Sequence, residues 1–296
     1  MTVPEVLCVG VATVDTIAVV DRIPGRDERV VADPFVNGGG GPAATAAVTL
    51  ARLGIPVAFC GVVGNDAAGR LVRDSLDREG VDTAWLRTDD EGRTAQSMIL
   101  IDRESAARTI ITTPPPRIDP GDVPATGIPW VHVDHGGFAA AWESVTAGGS
   151  LLSVDGGNPI PGLRFDGLEL YAPTTAAVRG LFPGADLDES MRAAAAAGAR
   201  EVVATAGVQG SYVLSDGEIV HIAPFAIEAV STMGAGDVFH GALLAARVEG
   251  RSLVEAATWA SAVAALSCRA LDGRTAIPDR RETEDYLAVR TAEQRA

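Results

Sequence analysis

Runs of apolar, β-branched residues alternate with alanine-rich stretches of helical period over nearly the whole chain. This pattern predicts an α/β fold around a buried, mostly parallel sheet. The first apolar run covers residues 6–11. Residues 42–53 then read as a helix: proline opens the first turn, apolar side chains recur at 43, 46, 47, 50 and 53, and Gly54 stands just past the end. Further strands are predicted at 57–62, 130–134, 151–155, 168–171, 201–205, 212–214 and 219–222. Helices are predicted at 67–78, 138–146, 175–181, 189–197, 235–248 and 253–268. Two segments, about 16–37 and 94–113, break the alternation. Both are strand-like, and 96–101 and 108–112 look like a pair joined by a polar turn. Inserted between βα units, they predict a small separate sheet over one edge of the main domain, with Pro114, Pro115 and Pro116 returning the chain to it.

Composition then narrows the chemistry. All 24 basic side chains are arginine, set against 39 acids for a net charge of −15. The absence of lysine excludes Schiff-base aldolases, pyridoxal-phosphate enzymes, the P-loop and the protein-kinase strand lysine. A phosphate-handling protein of this composition must use backbone N–H groups, arginine and metal. The acidic balance, with no localised basic patch, opposes a nucleic-acid partner or an anionic membrane. Cys8, Cys60 and Cys268 are widely spaced among apolar neighbours and read as reduced core residues of a cytoplasmic protein. No zinc spacing or C-x-x-C occurs, no apolar run reaches membrane length, and the start lacks the basic region of a signal peptide.

The chemistry concentrates in Ser231-Thr232-Met233-Gly234-Ala235-Gly236-Asp237. Two glycines open a predicted helix, so the backbone N–H groups of Gly234, Ala235 and Gly236 can converge on an anion at the positive helix end. Asp237 stands where an acceptor hydroxyl would meet that anion and is the candidate base. An ordinary carboxylate pKa suffices for it, because the proton leaves late in phosphoryl transfer. The same string also fits a structural reading, with the glycines allowing close helix packing and Asp237 capping the helix.

Gly-Ala-Gly-Asp opening a helix at this position resembles the D-T-x-G-A-G-D signature of the ribokinase-like, or PfkB, carbohydrate kinases. The resemblance extends to Gly38-Gly39-Gly40-Gly41-Pro42 running to Ala51-Arg52-Leu53-Gly54, to Gly61, Gly64 and Asp66, and to Thr205-Ala206-Gly207. It implies a three-layer ribokinase-like sandwich over residues 1–296, with the two odd segments as a β lid that also pairs two subunits into a homodimer. It further implies a sugar substrate, ATP and Mg2+, with a monovalent cation such as K+ as an optional addition. On the sugar side it points to Asp15 at the end of the first strand, Gly39, Gly40, Gly41 and Thr45. On the nucleotide side it points to Thr205, Gly207, Thr232, Gly234, Gly236, Ala265 and Cys268, with Asp155 near the metal.

Three positions depart from the family pattern. Ser231 replaces the first Asp of the signature, Thr45 replaces the substrate-touching asparagine, and Thr174-Thr175-Ala176-Ala177 stands where the family has N-x-x-E. The 6-deoxy-6-sulfofructose kinase branch is similar in residues 39–48, 234–243 and 273–279, and shares Thr45 and the missing glutamate. That similarity implies a ketose or ketose derivative: fructose-like, a sugar phosphate, or 6-deoxy-6-sulfofructose itself. Arg29, Arg108 and Thr112 are the lid candidates for an anionic group. Asp134-His135 occupies the place where the branch carries an arginine, so Asp134 and His135 are candidates for sugar hydroxyls instead.

Of the other histidines, His240 reads as helix packing, and His132 and His221 as structural. Arg269 and Arg274 flank the implied nucleotide region, either touching it or standing as exposed charges. A nucleoside or ribose kinase of the same fold is the alternative function, although only Phe35 offers a stacking ring in the lid. A non-catalytic sugar or nucleotide sensor is a second alternative, suggested by the lost N-x-x-E. A Rossmann dehydrogenase lacks its G-x-G-x-x-G after the first strand.

Overall fold

The computed structural model describes residues 3–104, 108–124, 127–184 and 186–295. Its strands are β1 (Val6–Val9), β2 (Thr13–Val20), β3 (Ala32–Gly40), β4 (Val57–Gly64), β5 (Asp82–Asp89), β6 (Ala95–Asp102), β7 (Arg108–Thr112), β8 (Trp130–Val133), β9 (Leu151–Gly156), β10 (Leu168–Pro173), β11 (Glu201–Thr205), β12 (Ser211–Ser215) and β13 (Glu218–Ile222). Its α-helices are α1 (Pro42–Arg52), α2 (Ala67–Arg78), α3 (Phe138–Gly148), α4 (Thr175–Leu181), α5 (Leu187–Ala196), α6 (Ala235–Val248), α7 (Leu253–Ser267) and α8 (Arg280–Arg295).

Nine strands form the main sheet in the order β13-β12-β11-β10-β9-β8-β1-β4-β5. All neighbours are parallel except β11–β12 and β12–β13. The central strands are apolar without interruption because both faces are covered. In β1, Val6 and Cys8 pack with α1, α6 and α7, while Leu7 and Val9 pack with α3, α4 and α5. The result is the expected three layers. All three cysteines are buried and free, and burial pushes the Cys60 thiol up to about 12. No helix among the described residues is long and apolar enough to cross a membrane.

The two odd segments come together as a four-stranded sheet in the order β3-β2-β6-β7. The segment expected to begin at residue 16 begins at Thr13, and it divides into β2 and β3, which pair antiparallel. The neighbouring pair β2–β6 is parallel. Asp15 therefore stands within β2 of the small sheet, and the expectation that it ends the first strand is corrected. Only a short break at residues 10–12 separates β1 from β2, so the apolar run gave no sign of the change of sheet.

Two elements had no counterpart in the apolar pattern. The edge strand β5 buries only Thr83 and Leu86, three residues apart, and so shows no strand period. The helix α8 is largely polar and begins where the Asp279 side chain accepts from the Glu282 amide at 2.8 Å.

Candidate active site

The parallel strands end at one edge of the main sheet, the usual place for a ligand crevice in open α/β sheets. A cleft of about 450 Å3 lies there, between the strand ends, the opening of α6 and the inner face of the small sheet. The register of the small sheet decides what that face offers. Asp15, Ser97 and Thr112 are directly opposite one another across β2, β6 and β7, and so are Ile17, Ile99 and Ile110. A polar row and an apolar row therefore run side by side into the cleft. Ser97 was not singled out in the sequence, although its alternation with Ile99 carried the signal.

Asp15 accepts a hydrogen bond from Thr13 Oγ1 at 2.7 Å. Burial raises its pKa, against the opposing pull of the Thr13 and Ser97 hydroxyls and Arg274. The glycine run is needed where it bends past this carboxylate: a Cβ on Gly40 would fall 2.0 Å from Asp15 Oδ2. Gly41, at φ +92°, begins α1, and a Cβ there would fall 2.3 Å from the Val11 carbonyl. Gly39, Gly40, Gly41 and Thr45 all line the cleft, as do Arg108, Thr112 and His135. His135 Nδ1 is buried without a hydrogen-bond partner among the described residues.

Gly234, at φ +71°, is the N-cap of α6. The Ala235 amide donates to Thr232 O at 3.3 Å, and the Val238 amide donates to Gly234 O at 2.9 Å. Among the described residues no backbone acceptor meets the amides of Gly236 and Asp237, so these are the open donors of the first turn. The Gly234 amide likewise has no backbone acceptor among the described residues, so of the expected set Gly234, Ala235 and Gly236 only the Ala235 amide is engaged. Asp237 also lines the cleft. Burial, with Asp155 and Asp134 nearby, drives its pKa to about 7 against the pull of His240 and Arg274. This environment therefore holds it above the ordinary carboxylate value that would suffice for the role.

Behind Asp237 the buried Asp155 Oδ2 and His240 Nδ1 are 3.0 Å apart. Asp155 Oδ1 accepts from the Gly157 amide at 2.7 Å. Burial opposes charging of both groups, but their mutual attraction wins: Asp155 is lowered and His240 raised. His240 is therefore an ion-pair partner in the site as well as a packed helix residue. Its neighbour His132, with its ring centroid 6.3 Å away, is held neutral by burial at about 4 and contacts Ser153 Oγ at 3.0 Å.

Asp134 does not reach the cleft. It is fully buried, and its carboxylate accepts from the amides of Val11 (2.8 Å), Ala43 (3.1 Å), Gly136 (2.8 Å) and Gly137 (3.1 Å). It ties the turn after β8 to the start of α1, so its reading as a sugar ligand is corrected. Arg29 is exposed on the loop before β3 and is absent from the cleft lining. Arg108 on β7 instead crosses the cleft and donates to Thr232 Oγ1 at 3.0 Å.

Of the residues expected to meet the nucleotide, Thr205, Thr232, Gly234 and Gly236 line the cleft, while Gly207, Ala265 and Cys268 lie outside it. The Cys268 carbonyl accepts from the amides of Val230 (2.8 Å) and Ser231 (3.1 Å), holding the approach to Thr232. Thr174 spends its hydroxyl capping α4, accepting from the Ala177 amide at 3.0 Å. Beside it a second hollow of about 490 Å3 opens along Thr174, Ala176 and Ala177, where the family would place N-x-x-E. Arg274, read as either a nucleotide neighbour or an exposed charge, is buried against Gly40 and Thr45 of the cleft lining.

No cluster of three or more His, Cys, Asp or Glu among the described residues is arranged to hold a metal ion. Asp155, the candidate ligand, has both oxygens engaged by His240 and Gly157. The described residues therefore form no resident metal cage.

The pfkB family carbohydrate kinase profile matches residues 3–121 and 175–280, three quarters of the chain and both motif regions. The chain belongs to the PfkB carbohydrate kinases. This kinase is 30% identical over 262 residues to a fructokinase of Klebsiella pneumoniae, covering 77% of this chain and 81% of that protein. It is 25% identical over 269 residues to a ribokinase of Haemophilus influenzae, covering 84% and 87%. In structure it is similar to a crystal structure described as a putative ribokinase from Agrobacterium tumefaciens, with TM-score 0.86, 26% identity and coverage of 97% and 98%. The kinase thus has the ribokinase-like fold with the small sheet as its lid, and it acts as a phosphotransferase on a sugar hydroxyl.

Proposed function

We propose that residues 1–296 work as one kinase domain that transfers the γ-phosphoryl group of ATP to a primary hydroxyl of a neutral, fructose-like ketose. The observation that carries this reading is the placement, in one cleft, of Asp237 at the open amides of α6 opposite the Asp15–Ser97–Thr112 row. In this reading Asp15 and its hydroxyl neighbours bind the sugar, and Asp237 orients the acceptor hydroxyl and takes its proton. The amides of Gly236 and Asp237 stabilise charge on the transferred group. Mg2+ would supply charge neutralisation on the ATP phosphates; Asp155, committed to His240 and Gly157, is not assigned to hold it. K+ belongs in the assay as an optional activator.

The preference for a neutral sugar rests on charge. Arg108 is the only arginine among the described residues that line the cleft, and it is held at Thr232 beside the anion hole. An anionic group at the far end of the sugar would meet Asp15 with no lining cation. This disfavours 6-deoxy-6-sulfofructose and sugar phosphates, each of which would lack a charge-assisted contact of about 1.5–3 kcal/mol. No Phe, Tyr or Trp lines the cleft among the described residues, which likewise disfavours a nucleoside.

The outer lid face exposes Phe35, Met98 and Ile111, and we assign the homodimer contact to it. Sedimentation of the native protein against a Phe35→Glu, Ile111→Glu variant tests that assignment. The cytoplasm is the proposed compartment.

The test of function is a coupled ADP-release screen over fructose and other ketoses, ribose, ketose phosphates, 6-deoxy-6-sulfofructose and nucleosides. Preference for a neutral ketose supports the reading. Preference for an anionic sugar or a nucleoside overturns it, and release with no acceptor tested favours the sensor.

A further inference from the structure

We infer that Arg274 is a positioning residue that sets the register between the sugar subsite and the phosphoryl-transfer end of the cleft, an inference that rests on the sugar-kinase reading above. Arg274 lies on the turn between α7 and α8, and it is 7% exposed. Its Nε donates to Thr45 Oγ1 at 3.1 Å, and its Nη2 donates to Gly40 O at 2.7 Å. Its Nη1 lies so close to Gly39 that a Cβ there would fall 2.3 Å from it. One guanidinium thus holds the end of β3 and the first turn of α1, the two elements that carry the glycine run and Thr45. The glycine at 39 has its physical reason here, since any side chain would displace the arginine.

The preceding residue touches the other half of the site. Gly273 packs on Gly234, the N-cap of α6: a Cβ on Gly234 would fall 2.8 Å from Gly273 Cα, and one on Gly273 would fall 3.1 Å from Gly234 Cα. Two consecutive residues therefore contact the helix opening that carries the anion hole and the backbone that carries the sugar subsite. The turn itself is stiff. Asp272 Oδ1 accepts from the amides of Arg274 (2.8 Å) and Thr275 (2.6 Å), and Asp272 Oδ2 accepts from Thr275 Oγ1 (2.7 Å). Arg52 Nη1, at the end of α1, donates to the carbonyls of Arg274 (2.8 Å), Thr275 (3.3 Å) and Ile277 (2.9 Å). Glu79 fixes that second guanidinium through two bonds of 2.7 and 2.8 Å.

In-line transfer depends on the acceptor oxygen standing at a set distance from the phosphoryl group, and a misplacement of about 1 Å costs on the order of 10²-fold. A stiff turn gripping both halves fixes that distance. It also predicts a particular defect when the grip is lost: a sugar that binds out of register leaves water to compete for the phosphoryl group.

The test compares the native kinase with Arg274→Met, Arg274→Lys and Gly39→Ala, measuring KM for sugar and for ATP, the ratio of ADP released to sugar phosphate formed, and the melting temperature. Arg274→Met is expected to lower the rate of sugar phosphate formation at saturating sugar by about 10²-fold, raise the sugar KM by about tenfold or more, leave the ATP KM within about twofold, and lift the product ratio above its native value. Arg274→Lys restores part of the loss. Gly39→Ala reproduces the defect by pushing the guanidinium aside, and it carries the test if Arg274→Met does not fold. Native values in the variants overturn the inference. So does a parallel rise in both KM values that tracks a fall in melting temperature, the signature of a merely structural arginine. A native chain with no sugar-dependent turnover overturns the sugar-kinase reading and this inference with it, whereas normal native turnover with unaffected variants overturns this inference alone.

Discussion

His240 Nδ1 and Asp155 Oδ2 stand 3.0 Å apart, each side chain only 4% exposed, one helical turn from Asp237. The contact is a charge pair without a well-aligned hydrogen bond, and His240 Nε2 has no well-aligned acceptor among the described residues. Its worth lies in mutual compensation, because either partner left alone is an unpaired buried charge. His240→Ala is therefore expected to lower stability by about 3–5 kcal/mol, read as a shift in the urea midpoint at pH 7. An unchanged midpoint would show that the two groups are neutral in the fold.

The raised pKa of Asp237 gives activity a definite pH dependence. A base whose carboxyl titrates at about 7 is protonated and inactive below that value. The sign is thus a loss on acidification: kcat/KM for the sugar should fall about tenfold per pH unit below 7 and level off above it. A profile that stays flat down to pH 5 contradicts the crowding of carboxylates around Asp237.

Asp15 is expected to act on sugar binding. Asp15→Asn keeps the shape of the side chain and removes the charge that strengthens its bonds to hydroxyls, a difference of about 1.5–3 kcal/mol. The sugar KM should rise by roughly one to two orders of magnitude while the ATP KM holds. Equal effects on both would place Asp15 outside the sugar subsite.

Asp134 has a structural task that a neutral amide cannot fill. Asp134→Asn turns one of its two acceptor oxygens into a donor facing buried N–H groups, and each orphaned amide costs about 1–3 kcal/mol. Thermal unfolding should show a loss of several degrees. A melting temperature equal to that of the native chain would contradict the four-amide arrangement.

What the sequence disclosed follows the range of the interactions involved. The helix opening at Gly234, the alternation of buried strands with helices, and the pairing of 96–101 with 108–112 all depend on neighbours within a few residues, and they stand where the pattern put them. Asp134 and Arg274 were misread or left open because their partners are distant: Asp134 meets Val11 across 123 residues, and Arg274 meets Gly40 across 234. Asp15 went to the wrong sheet because no turn residue of the usual kind other than Gly10 separates β1 from β2. The strand β5 and the helix α8 went unseen for a related reason. An edge strand and a largely polar helix owe their form to what they pack against rather than to an apolar period of their own.

The central claim is that Asp237 takes the proton of the sugar hydroxyl. Sugar-dependent ADP release by Asp237→Asn, compared with the native kinase at pH 8, tests it most directly. Turnover is expected to fall by about 10²- to 10⁴-fold, with the melting temperature and ATP binding close to native. Turnover near the native rate would contradict the account.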